Sequence, residues 1–334
     1  MVRGFQLIDG RIIDSEPAAS NILVYINPDD QEKKYLSTEL FIDEHTLLSS
    51  LDPDELSRLE FEPEHIALIV KRPKKYSAED TFLFRVMSLG LFLFSDKLVL
   101  IASEEFPIFD DRRFTKIASL REALLKLMFR SVFHFNEHLR VINKVSDELE
   151  DQINKSMENK YLHYMFALEK SLVYYLNAIN ANSNLLQKLK NYDSRIGFSH
   201  EDKEFLDDLI IENAQCYRQA EIYSNILSGL MDARASIVAN NLNLLMKRLA
   251  VLTVVVGAMN IPASMGGMSE FSRYVIDDMK INWLVGNLVF LIILVILGIV
   301  TYKALAFFRV FSTDEPDRKK RWYRRLIPKH HQEL

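Results

Sequence analysis

Asn260 is the residue in this chain whose position most demands a chemical explanation. It lies in LAVLTVVVGAMNIPASMGGM, residues 249–268, a stretch without a charged side chain. At 1.5 Å per residue it stands about 17 Å beyond Leu249, midway through a segment long enough to cross a bilayer core of about 30 Å. A carboxamide at that depth is costly unless it meets other helices or water. Steps of four and three back along the chain lead from Asn260 to Val256, Thr253, Leu249, Met246, Leu242, Ala239, Ala235 and Asp232. These residues share one helix face. Copies of that face around an axis would stack rings of carboxylate, small residues, Leu/Met, hydroxyl and amide. A carboxylate ring concentrates cations, a Leu/Met ring can close by dewetting, and an amide ring can hold the water shell of a divalent ion. The same face read plainly is coiled-coil core, and Asn260 then makes an interhelical hydrogen bond. A helix this long also offers other seams, so periodicity does not choose between them.

Other groupings carry less. His134 and His138, in HFNEH, stand at i, i+4, a spacing that can chelate a transition metal. Phe133 and Phe135 beside them point to packing, and no third ligand is evident. His330-His331 has no partner motif. Cys216, the one cysteine, falls inside a helical pattern and reads as a small buried apolar residue. No P-loop, Rossmann fingerprint, nucleophile elbow or paired-carboxylate signature occurs, so the chain is not expected to be an enzyme.

The elements that hold these residues follow from composition and patterning. The chain has 334 residues, 49% hydrophobic and 26% charged, with 10 Gly, 9 Pro and a formal charge of -5. That composition excludes a disordered tail, a collagen-like repeat and a disulfide-stapled secreted domain. Besides residues 249–268, residues 283–302 (WLVGNLVFLIILVILGIVTY) are uncharged and of spanning length. Lys247 and Arg248 precede the first span and DRKKRWYRRLIPK follows the second, whereas the connecting loop carries Arg273 and Lys280 against Glu270, Asp277 and Asp278. The positive-inside rule puts both termini in the cytoplasm and the loop outside. MVRGFQLIDGRIID lacks an apolar signal core, so no signal peptide is expected. The expected location is the cell inner (plasma) membrane, with two passes. The basic tail suits topology and anionic lipid better than nucleic acid.

The remaining chain reads as an α+β cytoplasmic domain over residues 1–115, then long helices over 116–245. A transmembrane hairpin over 246–304 and a basic tail over 305–334 complete it. Residues 22–28, 65–73, 81–90 and 91–103 read as strands, the last broken by a turn at Ser95-Asp96-Lys97. Residues 47–61 read as a helix capped at Asp52-Pro53. From Ser119 the period becomes helical, with one break at NYDSRIGFSHED, where Gly197 ends one helix and Ser199 with Asp202 caps the next. The helix from there through the first span would approach 100 Å, too long to be stable without partner helices.

LMDARASIVANNLNLLMKRLAVLTVVVGAMNIPASMGGMSEF resembles the last stalk helix and first span of the CorA family of divalent-cation channels. Asn240, Asn243, the Met246-Lys247 pair, a terminal Gly-Met-x and the acidic loop carry the likeness. The order of elements matches over the whole chain, the motifs over about residues 225–275. The resemblance implies a funnel-shaped homopentamer in which one first-span helix per subunit lines a central pore and the second span faces lipid. It also implies intersubunit cytoplasmic sites that sense magnesium. It selects Asp232, Ala235, Leu242, Met246, Leu249, Gly257 and Asn260 as pore-lining, with Thr253 joining them by its spacing on the same face, and Gly267, Met268 and Ser269 as the outer mouth. Asp232, Asn260 and Ser269 would then meet the hydrated cation. The family's Gly-Met-Asn reads Gly-Met-Ser here, which shortens the polar arm at the mouth. Weaker preference for Mg2+, with Co2+, Ni2+ or Zn2+ as alternatives, is the expected result. A non-conducting membrane-anchored scaffold or metal sensor is the alternative. No cofactor is expected beyond a divalent cation, and the expected partners are copies of the chain itself and lipid. Pro262 removes an N–H and frees the carbonyl of Ala258, which a watery pore could satisfy.

Overall fold

A computed structural model of the chain describes residues 1–76, 81–106, 108, 109, 116–155, 159–266, 273 and 283–307. It divides into two compact units, one covering Met1–Asp232 and the other beginning at Ala233.

The first unit is built on a seven-stranded sheet. Its strands are β1 (Val2–Ile8), β2 (Arg11–Ser15), β3 (Ile22–Ile26), β4 (Arg58–Phe61), β5 (His65–Pro73), β6 (Val86–Phe94) and β7 (Leu98–Ala102), in the order β2-β1-β3-β7-β6-β5-β4. Of the neighbouring pairs in that order, β3 and β7 run parallel and the others antiparallel. The central strands are continuous apolar runs because both faces are covered. Ile22, Val24, Leu98 and Leu100 point into a core shared with the long helices. Leu23, Tyr25, Val99 and Ile101 point the other way, against Leu36, Leu40, Ile42 and Leu47 of α1 (Asp30–Thr38), α2 (Glu44–Ser49) and the loop between them. Each fully buried Leu or Ile contributes roughly 1.5–3 kcal/mol to holding these layers.

Two local expectations give way. The helix over 47–61 does not form: α2 ends at Ser49 and residues 58–61 become β4, the edge strand paired with β5. Asp52-Pro53 makes a turn instead, and its Pro53 carbonyl accepts a 2.7 Å hydrogen bond from the buried Lys71 ammonium. Residues 81–85 are not strand, since Thr81 and Phe82 have positive φ and β6 begins at Val86. The β1–β2 hairpin was not among the expected strands; it turns at Asp9-Gly10, whose φ values of 48° and 76° fit a two-residue turn. The hairpin at 95–97 and the strand over 65–73 form as read.

The helical part comprises α3 (Leu120–Lys155), α4 (Asn159–Asn191), the short α5 (Asp193–Ile196), α6 (His200–Gly266) and α7 (Trp283–Phe307). Asn182 of α4 docks on β5 like an extra ladder rung. Its Oδ1 accepts from the Lys71 N–H at 2.9 Å and its Nδ2 donates to the Lys71 carbonyl at 2.8 Å. Gly197, with φ of 77°, ends α5 in the left-handed conformation that favours glycine. Ser199 and Asp202 then exchange hydrogen bonds of 2.9 and 3.0 Å, satisfying two orphan N–H groups where α6 begins. The corner is held from two sides. Arg121 of α3 donates to the Ile196 carbonyl at 2.8 Å, and the Arg195 guanidinium lies 4.0 Å over the Phe61 ring of β4.

Candidate functional site

α6 changes surroundings along its length. Within the first unit Leu206, Leu209, Asn213, Cys216 and Ala220 are buried at steps of three or four residues against the sheet-and-helix core, and Leu227 is buried again one step beyond the half-buried Tyr223. From Asp232 to Ala250 no residue of the helix is buried within the chain. Farther on it has an apolar window of membrane-spanning length, as does α7, and 6% of each window is buried. A core helix of a soluble protein would be mostly covered, so these two are open to a surrounding that water does not suit.

In the second unit α7 covers one side of α6. Val251 is 6% exposed, and Val255, Ala258, Met259 and Pro262 are half-buried. On α7 the corresponding stripe is Phe290, Leu294, Leu297, Gly298, Thr301 and Leu305. Gly298 allows close approach: a Cβ there would stand 2.9 Å from Met259 Sδ, so the thioether would have to shift to admit one. The Thr301 hydroxyl donates to the Leu297 carbonyl of its own helix at 2.9 Å, so it makes no polar demand on α6.

The opposite side of α6 is left bare. Leu249, Thr253, Val256 and Asn260 fall roughly half a turn from the covered residues at 100° per residue, and all four are exposed. Asp232, Ala235, Ala239, Leu242 and Met246 are exposed as well, Met246 at 66%. Thr253 donates its hydroxyl to the Leu249 carbonyl at 2.9 Å and so has satisfied its one donor inside its helix. The Asn260 carboxamide has no hydrogen bond among the described residues. A Cβ on Gly257 would meet nothing within 4 Å, which leaves backbone open one turn before Asn260. Pro262 lies inside the helix as read, but Ala258 and Pro262 sit on the side towards α7. The freed carbonyl therefore turns away from the bare face, because i and i−4 share a helix side. Gly267, Met268, Ser269, Glu270, Asp277, Asp278, the tail from 308 and His330-His331 lie outside the described residues.

The His134–His138 pair is part of the first unit's core. The rings are 4.3 Å apart, and His138 Nδ1 lies 2.5 Å from the Tyr175 hydroxyl. Burial, with His138, Arg72 and Arg130 nearby, pushes the His134 imidazole down to about 3. Burial and Arg72 push His138 down to about 4. Both rings are thus neutral at pH 7, and two guanidinium groups nearby oppose a metal cation. No cluster of three or more His, Cys, Asp or Glu suited to a metal exists among the described residues. Cys216 is fully buried, its thiol pushed up to about 12 by burial and then by Glu212.

The contact that sequence reasoning missed is Gly298 against Met259. Its signal was a glycine, Gly298, set among branched apolar residues.

Residues 18–268 match the family model for a CorA-like Mg2+ transporter protein. The cobalt/magnesium transport protein CorA of Methanocaldococcus jannaschii is 26% identical over 309 residues, covering 86% of this chain and 94% of that one. The complete structure of the CorA magnesium transporter from the same organism superposes with a TM-score of 0.67 at 20% identity, over 92% of this chain and 96% of that one. The cytoplasmic domain of ZntB from Vibrio parahaemolyticus RIMD 2210633 gives 0.56 at 11% identity, over 71% and 98%.

Proposed function

The chain belongs to the CorA-like Mg2+ transporter family, and from that premise we propose that it passes divalent cations through a pore lined by α6. The assembly is a homopentamer in the cell inner (plasma) membrane, with residues 1–245 and the tail 305–334 in the cytoplasm. The spans run over about 249–268 and 283–302, and α7 stands between α6 and lipid. Leu242, Met246 and Leu249 form the apolar constriction, Asp232 gathers cations at the inner end, and Asn260 holds the ion's water shell. Gly267, Met268 and Ser269 form the outer mouth.

One observation carries this reading. α7 covers one side of α6, and the side it leaves bare holds a carboxamide with no partner among the described residues. Hydrocarbon cannot satisfy that group, whereas a ring of copies around water can. Mg2+ dehydrates reluctantly, so amide oxygens that hydrogen-bond its hydration shell suit it better than direct ligands. Ser269, with a shorter arm than asparagine, makes a wider outer ring, and Co2+, Ni2+ or Zn2+ then compete better with Mg2+.

The test is ion uptake by liposomes holding the purified protein, run with Mg2+, Co2+, Ni2+ and Zn2+ separately. Wild type is expected to carry them with little preference for Mg2+. Asn260→Leu is expected to slow uptake about tenfold, as for roughly 1.4 kcal/mol added to the barrier. Strong preference for Mg2+ would refute the argument from Ser269. Absence of uptake for every cation would favour the second reading, a non-conducting scaffold or metal sensor, for which the Gly-Met-Ser mouth is the supporting feature.

A further inference from the structure

The first unit holds a cavity to which α6 contributes nothing. It has a volume of about 310 Å³ and is lined by Phe82, Val145, Glu148, Leu149, Asp151 and Gln152. That volume stands at the lower end of the range of small-molecule sites, roughly 300–1,000 Å³. Phe82 comes from the segment before β6, and the other residues stand on the C-terminal part of α3.

The two sides of the cavity differ in chemistry. Phe82, Val145 and Leu149 make an apolar wall, in which Leu149 is buried and the other two half-buried. Phe82 is fixed there from three directions. Its N–H donates to the Tyr76 hydroxyl at 3.3 Å, its carbonyl accepts from the Ser171 hydroxyl at 3.4 Å, and its ring centre lies 4.9 Å from that of Tyr164. Glu148, Asp151 and Gln152 make an exposed rim. Glu148 has Lys144 at 4.0 Å, but both side chains stand largely in water, where such a pair is weak. Asp151 has no partner among the described residues. It also lies about 6 Å along the axis from the end of α3 at Lys155, whose free carbonyls carry partial negative charge.

These features select the ligand. An aromatic face, carboxylates and a helix C-terminus all attract positive charge. A hydrated metal ion would engage the rim alone, and no group of three or more carboxylates, imidazoles or thiols suited to a metal exists among the described residues. An aliphatic ammonium engages both sides, with methylenes on the wall and charged heads at the rim.

We propose that this cavity binds an alkylammonium ligand of the short aliphatic diamine class. Its methylenes pack on Phe82, Val145 and Leu149, and its ammonium groups meet Asp151 and Glu148. The site is independent of whether α6 lines a pore.

Calorimetric titration of the full chain in detergent near neutral pH, with 1,4-diaminobutane as the probe, tests this. One ligand per chain is expected, with a Kd on the order of 0.1–1 mM for a molecule of about six heavy atoms. Asp151→Asn should weaken binding about tenfold by removing a charge-assisted contact. Its melting temperature should match wild type, because the replaced side chain is exposed and unpaired. Phe82→Leu should weaken binding about fivefold by removing the aromatic face. Val145→Trp, which fills the cavity from its wall, should abolish binding while leaving both carboxylates in place. Mg2+ at the same concentration as the diamine should leave the binding intact, as should Glu201→Gln, which removes an exposed carboxylate at the start of α6. Absence of saturable binding to wild type overturns the site. Binding that survives Val145→Trp, or that Mg2+ or Glu201→Gln abolishes, reduces it to general attraction by surface acids and overturns it equally.

Discussion

Asn260 and His138 are polar side chains in apolar stretches, and the fold treats them differently. His138 finds the Tyr175 hydroxyl inside its own chain, and the imidazole stays neutral. Asn260 finds no partner among the described residues, and under the proposed reading water or another copy supplies one. The histidines carry a pH prediction. His134 and His138 titrate near 3 and 4 when folded, against 6.5 for an ordinary imidazole. Between about pH 6.5 and 4 the unfolded chain therefore binds protons that the folded chain refuses. Stability is full above pH 6.5 and falls as pH drops through that window, by up to about 1.4 kcal/mol per pH unit for each histidine. Thermal unfolding of the full chain in detergent from pH 7.5 to 4.5 should show this fall. His134→Leu should make it shallower, and an unchanged slope would contradict the assignment.

At the scale of elements, pairing with another element overrules local preference where the two conflict. Residues 58–61 have a helical pattern in sequence, yet β5 offers them a ladder and they take it. Asn182 shows the same principle in a helix. Its side chain pairs both backbone groups of Lys71, a residue far away in sequence, in a site closed to water. Asn182→Ala leaves that N–H and carbonyl buried without partners, which costs about 1–3 kcal/mol for each unsatisfied group. Chemical unfolding followed by circular dichroism should report a loss of that order. A loss under about 0.5 kcal/mol would mean that water replaces the amide. The α5–α6 corner differs, because its glycine, serine and aspartate already favour the turn that the Arg121 contact then secures.

At the scale of the whole molecule, the bare face of α6 predicts self-association around that face. Met246→Cys places a thiol on the proposed axis, whereas Cys216 is buried with its thiol pushed up to about 12 and should stay unreactive. Mild oxidation of Met246→Cys in membranes is expected to produce disulfide-linked dimers at high yield. Lysine-directed crosslinking of the same sample should give a ladder that stops at five copies. Wild type should give no disulfide product. A variant that remained monomeric under oxidation would count against the axis, and a ladder that stopped at another number would count against the pentamer.

Much of this organisation was legible in the residues themselves. Two uncharged runs of spanning length, the helical period after Ser119 and the Gly197–Ser199–Asp202 break are local signals, and local physics decides them. The stripe from Asp232 to Asn260 was also visible, because helical spacing places its residues on one side before any partner is known. Which side of that helix is covered was not visible. It depends on Gly298 admitting Met259 from a helix that follows later in the chain, and no spacing within α6 encodes that contact. The burial of His138 against Tyr175 was likewise settled by a distant partner. Burial and hydrogen bonding are properties of pairs, and a single chain read in order shows only one member of each pair at a time.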